Sequence, residues 1–137
     1  MKILSLLFLV ILNTSAFAEK TPFTYIEFGQ FPGRGEFIQI ENSDFLNDNM
    51  TNLLLAVNGV STQEIINQTR ARYGEAFRCR IAEHFTETLT ELGIPFDEAV
   101  DLRVYLLDGG HQVIELTGIP LTEDNFLTVQ FETNFCL

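Results

Sequence analysis

Few side chains in this sequence could act as catalytic nucleophiles. Beyond residue 18 the chain has two serines, Ser43 and Ser61, and one lysine, Lys20. No G-x-S-x-G nucleophile motif occurs. Residues 61–64 (STQE) instead form a capping box, which predicts that Ser61 begins a helix. A serine-based catalytic set is therefore not expected.

Metal-ligand and acid–base patterns are equally sparse. His84 and His111 are the only histidines, and no H-E-x-x-H motif is present. Glu83, Glu87 and Glu91 recur every four residues, which is more typical of a solvated acidic helix face than of a cation site. We expect His84 to be a partly buried structural residue. The sequence thus predicts no catalytic residues, no metal, no cofactor and no enzymatic activity.

The two cysteines are Cys79 and Cys136. In an exported protein such a pair predicts one disulfide. A loop of this length corresponds to about 4 kcal/mol on the chain-entropy model, and the bond would also hold the C-terminal residues in place. Two free thiols in a reducing compartment are the alternative, as Cys–His catalysis would require.

The first 18 residues have the pattern of a signal peptide. A basic Lys2 precedes an apolar run at residues 3–12, and Ala16-Phe17-Ala18 has the small-x-small form that predicts cleavage before Glu19. The run is shorter than the roughly 20 residues of a membrane span. We expect a secreted or periplasmic protein whose residues 19–137 form one domain, with no membrane insertion after cleavage.

The predicted mature chain is strongly acidic. It keeps all 19 acidic residues and seven basic ones, because Lys2 is lost, so its formal charge is −12. This charge argues against nucleic acid and anionic lipid as partners, since both require clustered cations. Four arginines nevertheless lie close together in the sequence, and we expect them to pair internally rather than receive an acidic partner: Arg70, Arg72, Arg78 and Arg80.

Strand patterns occupy both halves of the chain. Glycines and a proline at residues 29–35 separate two apolar segments, which predicts an antiparallel pair. Asp108-Gly109-Gly110 predicts a hairpin turn, and Gly118 and Pro120 are expected to end its second strand. The predicted strands are residues 24–28, 37–40, 53–57, 102–107, 111–116 and 126–131.

Two consecutive helices are predicted between these strands. The first begins at Ser61 and ends or kinks at Gly74, and the second runs from Glu75 to Gly93. The second helix has an apolar face formed by Phe77, Ile81, Phe85, Leu89 and Leu92. The fold class expected is α+β: a single small domain with a mainly antiparallel sheet packed against two consecutive helices.

Residues 54–61 (LLAVNGVS) resemble the strand and turn of PDZ domains. The wider span, residues 53–120, is similar to the PDZ-like region of exported tail-specific (S41-type) serine proteases, with a V-N-G-V segment, a helix and an Asp-Gly hairpin. The Gly-Asp that usually precedes the strand is Thr51-Asn52 here. Residues 33–37 (GRGEF) are a loose match to the carboxylate-binding loop. The resemblance implies the binding module without the protease catalytic domain.

This resemblance implies a protein- or peptide-binding module. PDZ domains add a C-terminal or extended peptide to an exposed sheet edge beside a helix. The corresponding binding residues in this sequence are Gly33, Arg34, Gly35, Phe37, Ile38, Ile40, Ile65 and Thr69. The alternative is a disulfide-stapled secreted α+β protein that acts as an inhibitor, immunity factor or envelope component.

Overall fold

The computed structural model describes residues 19–46, 51–108, 110–132, 135 and 136, so the predicted leader lies outside the described residues. The strands are β1 (Tyr25–Phe31), β2 (Gly35–Glu41), β3 (Asn52–Val57), β4 (Val60–Ser61), β5 (Ala99–Leu106) and β6 (Gln112–Pro120). The helices are α1 (Thr62–Tyr73), α2 (Phe77–Glu83), α3 (Phe85–Glu91) and α4 (Glu123–Glu132). Within the described residues, no helix has both the length and the apolar character of a membrane span.

The strands form one antiparallel sheet in the order β1-β2-β3-β5-β6, with β4 paired to β3. The first hairpin has a shorter loop than predicted, because β1 and β2 extend into the glycine-rich segment. Phe31 pairs with Gly35, and Gly29 pairs with Phe37. Only residues 32–34 turn the chain. Main-chain pairing therefore outweighs the strand-breaking tendency of Gly29 and Gly35.

The turn after β3 and the cap of α1 are confirmed. Asn58 (φ 48°) and Gly59 (φ 81°) both have positive φ. The Asn58 side chain also donates to the Pro95 carbonyl and accepts from the Asp101 amide. The Ser61 hydroxyl accepts the Glu64 amide at 3.2 Å. These contacts fix how the chain passes from β3 into α1.

The apolar face predicted for the second helix is confirmed, but the helix itself is divided into two shorter helices. Gly74 ends α1, and a short 3-10 turn (Gly74–Ala76) leads into α2. The chain then leaves helical geometry at His84 (φ −134°, ψ 48°). The Thr88 hydroxyl donates to the carbonyls of both Arg80 and His84 at this break. Neither Gly nor Pro marks it, so the sequence offered no signal. Four of the five predicted face residues are fully buried, and Leu92 packs against them.

The predicted last strand at residues 126–131 is wrong, because this segment is helical and belongs to α4. The Thr122 hydroxyl accepts the Asn125 amide at 3.0 Å, and Glu123 and Asp124 occupy the first turn. This is an N-cap followed by acidic residues that favour a helix start. Val129 is fully buried. Capping and burial of Val129 outweigh the β-propensity of Phe126-Leu127-Thr128-Val129.

The second hairpin is confirmed and is longer than predicted. Leu102 and Val104 are buried, whereas Asp101 and Arg103 are exposed. Gly118 does not end β6. Gly118 has a positive φ of 69° and lies opposite the register shift between Val100 and Leu102 on β5. Its backbone N–H donates to the Asp101 carboxylate at 2.9 Å. The strand bends at this bulge and continues to Pro120. Gly109 of the predicted turn lies outside the described residues.

Sheet and helices share one hydrophobic core, which confirms the predicted α+β fold with a mainly antiparallel sheet packed on consecutive helices. Phe23 contacts Phe85 edge-on, and Phe28 does the same with Phe77. The predicted disulfide between Cys79 and Cys136 is present. It joins α2 to the C-terminal segment, and Phe135 of that segment packs on Phe28.

Candidate functional site

The predicted binding segment, residues 33–40, lies beside α1. The Arg70 guanidinium on α1 forms an ion pair with the Glu36 carboxylate on β2. At the other end of the contact, the Gln63 side-chain oxygen lies 3.5 Å from the position that a Cβ on Gly35 would take. The structure therefore brings the 33–40 segment and the Ser61-capped helix into contact.

The edge of β2 that faces away from β1 is paired with another strand over only part of its length. On one side β1 pairs with it from Gly35 to Glu41, but β3 contributes a single pair, Gln39 with Leu53. Beyond that pair β3 turns to other partners, because the Leu54 carbonyl accepts the Thr62 hydroxyl at 2.7 Å. The half of β2 around Glu36 has no strand on this edge in the described part of the chain.

Every second residue of β2 directs its main-chain N–H and C=O groups away from β1. The Ile40 carbonyl accepts a hydrogen bond from the Asn52 side chain at 3.4 Å, so it is directed to the β3 side. Alternate residues of an antiparallel strand direct their N–H and C=O groups to the same edge. Glu36 is four residues before Ile40, and its N–H and C=O therefore face α1.

The eight predicted binding residues divide into an accessible group and a buried one. Gly33 and Gly35 have positive φ (72° and 89°) and are exposed, as is Arg34 between them. Phe37 is half-buried on the opposite face of the sheet, with its ring 4.5 Å from that of Phe31. The remaining four are part of the core: Ile38, Ile40, Ile65 and Thr69.

The buried group is closed to a ligand in this conformation. Ile38 and Ile65 are 1% and 3% exposed, and the Thr69 hydroxyl donates to the Ile65 carbonyl at 2.7 Å. A ligand at this edge therefore meets main-chain groups of β2 and the exposed Arg34 before any apolar pocket. Contact with Ile65 requires α1 to move away from β2.

Arginines dominate the electrostatics at the α1 end of the site. Arg70 stacks on the Phe77 ring at 4.2 Å, and Arg78 lies 4.9 Å from the same ring. The predicted internal pairing is confirmed for Arg70, Arg78 and Arg80. Arg34 has no ion-pair partner among the described residues. Its guanidinium is thus available to an anionic group on a ligand.

Arg80 anchors a second polar cluster on the helical layer. It binds Glu87 at 3.2 Å and Glu91 at 3.1 Å, and its guanidinium covers the Tyr73 ring at 4.6 Å. Burial acts to lower the pKa of Arg80, but the two carboxylates outweigh it and raise that pKa. A hydrogen bond to Glu91 also raises the pKa of the Tyr73 phenol. This cluster is structural, since each charge has an internal partner.

The predicted acidic stripe is corrected at Glu83. Glu83 is only 6% exposed, and its carboxylate accepts the backbone N–H of Cys136 at 2.8 Å. The C-terminal segment covers it, which helical periodicity alone does not reveal. His84 is partly buried as predicted, and its Nδ1 lies 2.9 Å from Glu19 Oε1.

Sequence reasoning missed Glu36, Gln63 and Arg70 as residues of the site. Only Arg70 carried a signal, because it belongs to the arginine-rich stretch. No model of a known protein family matches the chain, and searches of curated proteins and of solved structures also gave no match. The geometry of β2 and α1 is therefore the basis for a functional proposal.

Proposed function

We propose that this protein is an exported, non-catalytic peptide-binding module of PDZ-like type. Its ligand would be a C-terminal or otherwise extended peptide that adds as a strand to the open half of β2, beside α1. The observation that carries this proposal is the single β2–β3 pair at Gln39. Among the described residues, the Glu36 half of this interior strand therefore has α1, and no strand, on that side.

Main-chain hydrogen bonds supply the affinity in this mode of recognition. Strand addition satisfies N–H and C=O groups that otherwise bond to water, and side chains at alternate positions then determine specificity. The Glu36 main chain faces the free edge, and the exposed Gly33-Arg34-Gly35 turn begins the same strand. A peptide whose carboxylate reaches Arg34 gains a charge-assisted bond at that end.

The ion pair between Glu36 and Arg70 lies across the same edge. A bound strand must pass beside it or displace it, so the pair is expected to control access. Removing its charge at Glu36 would leave Arg70 free to bind ligand carboxylates. We therefore expect Glu36→Gln to strengthen binding of acidic peptides.

The binding test compares matched peptides. Isothermal titration calorimetry with peptides ending in an apolar residue should show binding for the free carboxylate and weaker binding for the C-terminal amide. Arg34→Ala should remove that difference. Arg103→Ala is the matched control, because Arg103 pairs with Glu115 on the distant hairpin. Equal affinity for acid and amide would exclude the carboxylate-dependent mode.

The location of binding is tested by amide chemical shifts. Titration with a binding peptide should shift the amide signals of Gly35, Glu36 and Ile38. The two edge strands of the sheet, β1 and β6, are the internal controls, and shifts confined to either of them would contradict the proposed site. Export is checked separately by N-terminal sequencing of protein recovered from medium or periplasm, which should begin at Glu19.

A further inference from the structure

A second group of polar side chains surrounds His84, at the break between α2 and α3. Donor atoms of Cys79, His84 and Cys136 lie within 4.8 Å of one another, and so do those of Glu19, His84 and Glu87. Both carboxylates approach the same ring nitrogen: His84 Nδ1 is 2.9 Å from Glu19 Oε1 and 3.6 Å from Glu87 Oε2. The two groups of three share His84, so five potential ligands surround or include this residue.

The chemical types in this group are those that bind zinc. Zn²⁺ takes four ligands in tetrahedral geometry from cysteine thiolates, histidine nitrogens and carboxylate oxygens. While Cys79 and Cys136 are joined as a disulfide, their sulfurs are not thiolates and cannot ligate in this way. The oxidised protein thus lacks two of the donors, and reduction would supply both.

The structure holds the two sulfurs together by more than the disulfide. Glu83, one turn after Cys79 on α2, accepts the Cys136 backbone N–H from its buried carboxylate. The neighbouring Phe135 ring packs edge-on against Phe28 with centroids 5.2 Å apart. Neither contact depends on the S–S bond, so we expect the Cys136 thiol to stay close to Cys79 and His84 after reduction.

The carboxylates are also oriented for this role. Arg80 holds Glu87 Oε1 at 3.2 Å, which leaves Oε2 directed toward His84. Partners of this kind fix ligand orientation in metal sites. The side chains of His84 and Glu19 are about one third and one quarter exposed (33% and 26%), so an ion can enter from solvent. Glu19 is closer to His84 than Glu87 is, which makes it the candidate for the fourth ligand.

We infer that Cys79, Cys136, His84 and Glu19 form a redox-gated zinc site. A dithiol reductant transfers two electrons and two protons to the disulfide and itself becomes a cyclic disulfide. Zn²⁺ then displaces the two thiol protons and binds the two thiolates, the His84 imidazole and the Glu19 carboxylate. In an oxidising compartment the site is closed as the disulfide.

The test uses Co²⁺ as a spectroscopic substitute for Zn²⁺ in the purified protein. After reduction with a water-soluble phosphine, titration should reach one equivalent and produce tetrahedral visible bands together with a thiolate-to-cobalt charge-transfer band. Added Zn²⁺ should bleach both. The oxidised protein should show neither, and the same bands in the oxidised protein would overturn the gating.

Variants test the remaining two ligands. His84→Ala and Glu19→Gln should each weaken binding to the reduced protein by at least about tenfold, the loss typical even for residues that only support metal ligands. His111→Ala and Glu98→Gln are the controls and should leave affinity unchanged. The inference fails if reduced wild-type protein shows no thiolate band, if it loses its folded circular dichroism in the presence of zinc, or if both ligand variants bind as tightly as wild type.

Discussion

The carboxylate of Glu83 accepts a hydrogen bond from the backbone N–H of Cys136 at 2.8 Å. Glu83 lies one helical turn after Cys79, which forms the disulfide with Cys136. The helix α2 thus holds the C-terminal segment by a covalent bond and by a charge-assisted hydrogen bond. Glu83 is buried because that segment covers it. The two contacts hold Cys136 against α2.

Glu83→Ala should destabilise the protein by about 1–3 kcal/mol, because the Cys136 amide is left without its acceptor in a partly buried position. Glu83→Gln should cost less, since the amide oxygen can still accept. Urea unfolding measures both. Glu98→Ala, at an exposed position, is the control and should stay within about 0.5 kcal/mol of wild type. Equal costs for Glu83→Ala and Glu98→Ala would contradict this role.

Replacing both cysteines by serine should lower the free energy of unfolding by about 2–4 kcal/mol. The disulfide spans 57 residues, so its loss frees a long loop in the unfolded chain. Denaturant titration of the double variant and of reduced wild type checks this, and the two unfolding free energies should agree closely. An unchanged midpoint in the double variant would show that Glu83 and Phe135 hold the segment alone.

The ion pair of Arg70 with Glu36 should couple more strongly than that of Arg103 with Glu115. The first pair has side-chain exposures of 33% and 15%, against 53% and 57% for the second. Double-mutant cycles should give about 1 kcal/mol for the first and less than about 0.5 kcal/mol for the second, because solvent screens exposed charges. The reverse order would contradict the role of Arg70 in joining α1 to β2.

Gly29→Ala should destabilise the first hairpin by about 1 kcal/mol, the low end for overpacking. A Cβ at Gly29 would lie 2.2 Å from the tip of the Phe37 ring, which must then rotate away. Phe37→Leu should relieve much of this cost, so a double-mutant cycle measured by thermal unfolding should show positive coupling. Independent, additive effects would indicate that Phe37 does not cover Gly29 in solution.

Asp108 should contribute stability that depends on pH. Hydrogen bonding from Thr51 lowers the pKa of Asp108 from its usual 3.8. Because the folded-state pKa is below the unfolded one, the contribution is present above the unfolded pKa and is lost as the pH falls through the folded value. Wild type should therefore exceed Asp108→Asn in stability at neutral pH, and the difference should vanish in acid. A difference that persists far below pH 3.8 would contradict this assignment.

Local signals predicted much of the fold. The Ser61 cap, the Asn58-Gly59 turn and the hairpin alternation depend on residues a few positions apart, so the sequence contains the whole cause. The last helix was missed because Phe126 and Val129 favour strands locally. The Thr122 cap was visible in the sequence, but the burial of Val129 that supports the helix depends on the rest of the fold.

The candidate site was predictable only in outline. The glycine-rich turn and its neighbouring strand follow from a short motif, but the break between β2 and β3 depends on Leu54 bonding to Thr62 instead of β2. Likewise, Arg70 was recognisable as a cation, whereas its partner Glu36 lies 34 positions away. Contacts between residues so far apart leave no periodic signal in one sequence.

By itself, the sequence determined the acidic charge, the pairing of two cysteines, the helix cap and the alternating strands, because each depends on composition or on near neighbours. Only the tertiary structure decided that Glu83 is buried and that His84 interrupts a helix beside four other potential ligands. It also decided that, among the described residues, half of β2 has no strand on its α1 side. These features arise where separate segments meet, and their energies depend on burial and on partners that no single segment contains.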